Sequence, residues 1–137
     1  MKIDRHSSDA QEMMYQQFLR VYKGQCTRKD AIETLCGRIV GYQPNTFGRY
    51  MDSFLHMMSG TAFASVLPSD LTVFLLTRIL QEHGPAVFLG ALSAEKQHIQ
   101  YYYNVRGVSQ SGLCRKLSSL AASNGVSMTF EPRKARF

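Results

Sequence analysis

Six residues in the stretch VRGVSQSGLCRKLSSL, residues 105–120, carry side chains suited to an anionic, hydrogen-bonding partner: Arg106, Ser109, Gln110, Ser111, Arg115 and Lys116. Glutamine offers the donor and acceptor that match the major-groove edge of adenine, and arginine the fork that matches guanine. A serine at a helix start, beside the free backbone N–H groups there, suits a phosphate oxygen. Leu113, Leu117 and Leu120 recur between the polar residues at helical spacing, so the stretch reads as a turn and a helix with one apolar side. Ser109 stands at the expected N-cap, and Gln110, Ser111, Arg115 and Lys116 on the expected exposed face. The same residues would also suit a capped surface helix with solvated cations. What separates the two is where the charge of the whole chain lies.

The net charge is +6, and its distribution is uneven. Residues 1–95 hold nine Lys/Arg and nine Asp/Glu, which cancel. Residues 96–137 hold seven Lys/Arg against Glu131 alone, so the whole excess falls there. A concentrated basic end attracts polyanions, nucleic acid among them. The segment EPRKARF, 131–137, adds Arg133, Lys134 and Arg136 and reads as a mobile basic tail able to hold a phosphate backbone with Arg106 and Lys116.

The elements that must carry these residues are helices, and the expected fold is mainly α, in a single helical domain over 1–137. Residues 8–23 form a first helix capped by Ser8, with Met13, Met14, Phe18 and Tyr22 near one face and Gly24 as its stop. Thr27 caps RKDAIETLCGR with Asp30 three residues on. Pro44 opens a helix whose buried side is Phe47, Tyr50, Met51, Phe54, Met57 and Met58. Ser69 caps DLTVFLLTRILQEH, apolar around most of its circumference and stopped by Gly84-Pro85. Such a helix belongs inside a domain or between subunits, so residues 70–82 are the candidate seam of a homodimer. AVFLGAL is ambiguous between helix and strand, Ser93 opens the next helix, and VSMTF reads as one short strand.

Two stretches copy one packing scheme at an offset of 66: Thr27 falls on Ser93, Gly41 on Gly107, Phe47 on Leu113, Arg49 on Arg115 and Met51 on Leu117. Two steeply crossing helices need a small residue where they touch and a glycine able to take positive φ between them. In the first unit, 27–58, these are Gly37 and Gly41. In the second, 93–123, Gly107 fits, but Tyr103 takes the small-residue place and Arg106 and Lys116 replace apolar residues, which requires a looser turn. The first unit fits the scheme better and the second carries the charge. Asn45 and Arg49 are the first unit's candidate contacts.

On the stretches CTRKDAIETL and GVSQSGLCRKLSSL the chain resembles the bacterial helix-turn-helix transcription regulators, in particular the small PapB-type regulators of adhesin operons. The resemblance implies an oligomeric regulator that binds double-stranded DNA.

Other chemistries are poorly supplied. His6, His56, His83 and His98 share no helical spacing, and the three cysteines form no CxxC, so neither a metal site nor a cofactor is expected. The cysteines read as reduced thiols. His98 reads as a partly buried structural histidine, and the tyrosines of QYYYN, 100–104, as core packing plus a partner surface. No GxSxG, P-loop or GxGxxG occurs, and no enzyme is expected. The apolar runs are too short to span a bilayer and the first residues lack a signal-peptide core, so the expected place is the cytoplasm. The alternative to a DNA-binding regulator is a protein-interaction adaptor or inhibitor acting on a nucleic-acid enzyme, using Tyr101 and Tyr103.

Overall fold

The first helix, α1, runs over Ser8–Tyr22 in a computed structural model that describes residues 2–134. Its N-cap is Ser7, not Ser8: the Ser7 hydroxyl accepts from the Ala10 amide at 3.1 Å. The buried face is Ala10, Met14, Tyr15, Phe18 and Leu19; Met13 is half-buried and Tyr22 exposed, so the row is turned toward Tyr15 and Leu19 from the one the sequence suggests. The described chain is 70% helical, with five helices and two short strands. It divides into two compact units, Met1–Leu55 and His56–Phe137.

In the first unit, Thr27 caps α2, Arg28–Arg38, by accepting from the Asp30 amide. Ile39–Val40 (β2) then pairs in parallel with Ile3–Asp4 (β1), Ile3 opposite Ile39. Pro44 begins α3, Pro44–Ser59, where its missing N–H is no loss. All six apolar residues expected on the inner side of α3 are buried. Phe54 anchors the first unit's core, with the Tyr15 ring edge-on at 5.8 Å and the Phe18 ring at 5.9 Å. Burying each such side chain contributes about 1.5–3 kcal/mol.

Gly37, the residue expected where α2 and α3 touch, is not at their contact. It is exposed, and a Cβ there would meet nothing. The close approach is at Gly48, where a Cβ would lie 3.5 Å from Ile32 Cδ1 and closer still to the Arg28 guanidinium. The side of α2 that meets α3 carries Arg28 and Ile32, four residues apart, so the small residue that makes room for them stands on α3.

In the second unit, α4 covers Ser69–Arg106 with one break at Gly84, whose φ of 87° and ψ of 174° are open to glycine alone. Gly84-Pro85 therefore stops the first helical stretch, as the sequence predicts, and a second begins at once, with Pro85 in its first turn. Ser69 is the first helical residue, behind Pro68 as N-cap, and Ser93 lies within a continuous helix. Neither is a cap. AVFLGAL is helical. Leu71, Thr72, Leu75, Leu76 and Ile79 are buried, while Val73, Phe74 and Leu80 are half-buried, so residues 70–82 have two distinct sides.

Gly107, at φ 70°, closes α4, and its amide bonds the Tyr103 carbonyl at 2.8 Å. After a turn, α5 runs over Ser111–Ser123. Residues 126–130 form no strand; Phe130 alone is driven into the core, at 1% exposure. The two halves matched at offset 66 share the positive φ of Gly41 and Gly107 and two buried pairs, Phe47 with Leu113 and Met51 with Leu117; Tyr50 and Ser53 are buried where Lys116 and Ser119 are exposed. They also differ before the glycine, where Thr27 is a cap and Ser93 is not.

Candidate nucleic-acid interface

The start of α5 is built by a network that reaches back into α4. Gln110 is the N-cap, in the left-handed region at φ 49° and ψ 49°, and its own side chain makes no cap hydrogen bond. Ser109, the expected cap, is half-buried in the turn, where its carbonyl accepts from Cys114 Sγ at 3.4 Å. The Gln110 amide meets His98 Nε2 at 3.2 Å, and His98 Nδ1 meets the Phe63 carbonyl at 2.8 Å. A carbonyl only accepts, so Nδ1 carries the hydrogen and Nε2 accepts from the Gln110 amide group. The imidazole stacks on Phe63 at 4.5 Å between centroids, and burial pushes its pKa down, which keeps it neutral. Gln110 therefore faces inward. It does not lie on the exposed face with the others, as the sequence suggests.

The rest of α5 sorts cleanly. Leu113, Cys114, Leu117 and Ala121 are buried; Ser111, Gly112, Arg115, Lys116, Ser118 and Ser119 are exposed. The outward face is small side chains and two cations, with no carboxylate on the helix. The two cations differ. Lys116 Nζ reaches Asp70 Oδ1 at 2.5 Å and Ser69 Oγ at 3.0 Å, and this holds the Asp70 carboxyl below its ordinary range. Arg115 has no carboxylate partner among the described residues.

The C-terminal segment is docked as far as Arg133, where a mobile tail is expected from residue 131 on. Gln100 on α4 accepts from the Arg133 amide at 2.7 Å and donates to the Arg133 carbonyl at 3.0 Å. The side-chain amide thus stands in for a neighbouring strand. Arg133 and Lys134 are exposed at the surface of α4 and α5, and Arg106 is exposed at the end of α4. Arg136 lies outside the described residues. Asn45 and Arg49 are exposed on α3, in the first unit, where Arg49 Nη2 donates to Thr46 Oγ1 at 3.4 Å.

Two polar depressions flank the docked segment and share Glu131 and Pro132. One, of about 160 Å³, lies against Ser109, Ser111 and Lys134 at the start of α5. The other, of about 590 Å³, lies against Lys96, Gln97, Gln100 and Arg133. Lys96 and Gln100 were not candidates from sequence. Lys96 belonged to the counted basic excess, but nothing local shows which side of α4 receives the segment more than thirty residues on.

Among the described residues no three His, Cys, Asp or Glu gather as metal ligands, and no helix is long and apolar enough to cross a membrane. The chain matches no family model, no curated protein and no solved structure.

Proposed function

We propose that the second unit binds double-stranded DNA through the outward face of α5, as a transcription regulator of the helix-turn-helix class. The observation that carries the reading is a well-anchored helix whose exposed side holds only small residues, Arg115 and Lys116, with no carboxylate. Small residues let a helix approach the floor of the major groove, and Arg115 supplies the bidentate fork for guanine. Ser111 and the uncapped first turn face the phosphate side. Arg106, Arg133 and Lys134 hold the backbone. Two chains joined through the half-buried side of residues 70–82 would place two α5 helices on a palindromic site.

Fluorescence anisotropy of the full chain on random-sequence and own-promoter duplexes, at several salt concentrations, tests this. The expected result is binding that weakens steeply with salt and is tighter on the promoter. Absence of binding at low salt would sink it.

A second reading, an adaptor or inhibitor acting on a nucleic-acid enzyme, draws on a different surface. Tyr101, Val105 and Val108, near the end of α4, are 47%, 58% and 49% exposed. Tyr103 is half-buried, so Tyr101 leads that surface.

A further inference from the structure

We propose that Lys96, Arg133 and Lys134 form a fixed phosphate-contacting surface for duplex DNA, held in place by the hydrogen bonds of Gln100 to the Arg133 backbone. This rests on the reading of the second unit as a DNA-binding unit and extends it to residues outside the α5 face. Phe130 is buried four residues before Lys134, so the segment is pinned by its apolar end. Gln100 then pins it again, through both polar groups of one residue: Arg133 N to Gln100 Oε1 at 2.7 Å, and Gln100 Nε2 to Arg133 O at 3.0 Å. Gln100 is itself oriented by donating to Asn104 Oδ1 at 2.9 Å. A segment fixed at both points brings its cations to the duplex with less ordering entropy to lose than a free tail has.

The charge on this surface has a definite sign. Lys96 and Arg133 line one depression and Lys134 lines the other. None of the three has a carboxylate partner among the described residues. Glu131, shared by both depressions, is the one acid among their lining residues. Three cations against one carboxylate, beside the uncapped first turn of α5, suit a chain of phosphodiesters. Gln100 touches no phosphate here; it is a positioning residue.

The test is anisotropy of the full chain on a duplex at several salt concentrations, with Gln100→Leu, Lys96→Gln, Glu131→Gln and Arg115→Ala compared with wild type. Each lost phosphate contact lowers the slope of log affinity against log salt by about 0.9. Lys96→Gln is expected to lower it by about that amount. Gln100→Leu changes no charge, yet is expected to lower it by up to about two such steps, as Arg133 and Lys134 lose their fixed positions. Faster exchange of the Arg133 amide in Gln100→Leu checks that the segment has been released. Glu131→Gln is expected to tighten binding a few-fold. If Lys96→Gln and Gln100→Leu keep the wild-type slope while Arg115→Ala weakens binding, this surface is wrong and the α5 reading stands. If the wild-type chain binds no duplex, both fall. Lys96 is on the surface, so its variant still decides the matter if Gln100→Leu does not fold.

Discussion

The two units of this chain hold the same number of Lys and Arg and differ in their carboxylates. Residues 1–55 have eight cations and six acids; residues 56–137 have eight cations and four acids. One of those four, Glu95, is 1% exposed, and burial pushes its pKa up to about 8, so it adds no charge to the second unit near neutral pH. Each unit pairs some of its cations: in the first Arg28 meets Asp52, and Arg5 donates to the Gly41 carbonyl at 2.7 Å and lies over the Tyr42 ring, while in the second Arg78 meets Glu82 and Lys116 meets Asp70. With fewer acids to meet, the second unit leaves Lys96, Arg115, Arg133 and Lys134 without a carboxylate partner among the described residues. A basic surface is thus made less by adding cations than by leaving out, burying or distancing acids.

The largest expected effect concerns Glu95. One carboxylate oxygen, Oε1, has no hydrogen-bond partner among the described residues, and desolvation keeps the group protonated in the folded chain. The unfolded chain ionises it near its ordinary value of 4.5. Between these values the folded state holds one proton more. The stability conferred by this group is therefore complete below about pH 4.5 and is lost as pH rises to about 8, by up to about 1.4 kcal/mol per unit. Thermal melts from pH 5 to 8 are expected to show this decline in wild type and to lose it in Glu95→Gln. Parallel melting curves for the two would mean that Glu95 is not held neutral. The first unit has a shift of another kind, with the Tyr50 phenol pushed up to about 12 by burial and by Tyr42, well beyond that window. Local amide exchange should therefore place the pH effect in the second unit.

Next in size is the contrast between two exposed arginines at matched positions, Arg49 on α3 and Arg115 on α5. Arg115→Ala is expected to weaken duplex binding about tenfold or more, as loss of a bidentate base contact does. Arg49→Ala should leave binding within about twofold, since its neighbourhood is balanced in charge. Anisotropy reads both. Equal losses would put the two units on the same DNA and remove the contrast.

A smaller effect separates the two cations of α5. Asp70 is exposed and, together with the Ser69 hydroxyl, holds the Lys116 ammonium group against the start of α4. Asp70→Asn is expected to free the ammonium group, tighten duplex binding about two- to threefold and raise the salt slope by about 0.9. An unchanged slope would show that Lys116 faces away from the DNA.

Features set by a residue and its near neighbours were legible in the sequence. The Thr27 cap, Pro44 at the start of α3, the six buried residues of α3 and the positive φ of Gly24, Gly41 and Gly107 all follow from local chemistry. Ser69, Ser93 and Ser109 misled for one reason: a serine caps only where the preceding backbone is non-helical and its own φ and ψ suit, and three serines before apolar runs do not reveal that. VSMTF alternates as a strand does, but no ladder partner exists among the described residues, and the chain that follows it meets a glutamine side chain instead. The candidate site suffered most from distance along the chain. Lys116 finds Asp70 across 46 residues and Arg133 finds Gln100 across 33, so neither pairing leaves a local mark.

The smallest expected effect tests the residue whose role changed most. Gln110 combines two opposing terms: a left-handed backbone that costs a non-glycine residue about 1–2 kcal/mol, and a hydrogen bond to His98 worth about 1 kcal/mol. Gln110→Ala keeps the strain and loses the bond, so a loss of about 1 kcal/mol is expected in denaturant melts. Gln110→Gly loses the bond and relieves the strain, so it should melt within about 1 kcal/mol of wild type. The pair of variants isolates the backbone term without reference to DNA. Duplex affinity then decides the side chain: because the amide is spent on a buried imidazole, Gln110→Gly should bind as wild type does, while Arg115→Ala does not. A loss of affinity in Gln110→Gly at unchanged stability would mean that the glutamine leaves His98 when DNA arrives, and that the inward network is the unbound form of a base-reading residue.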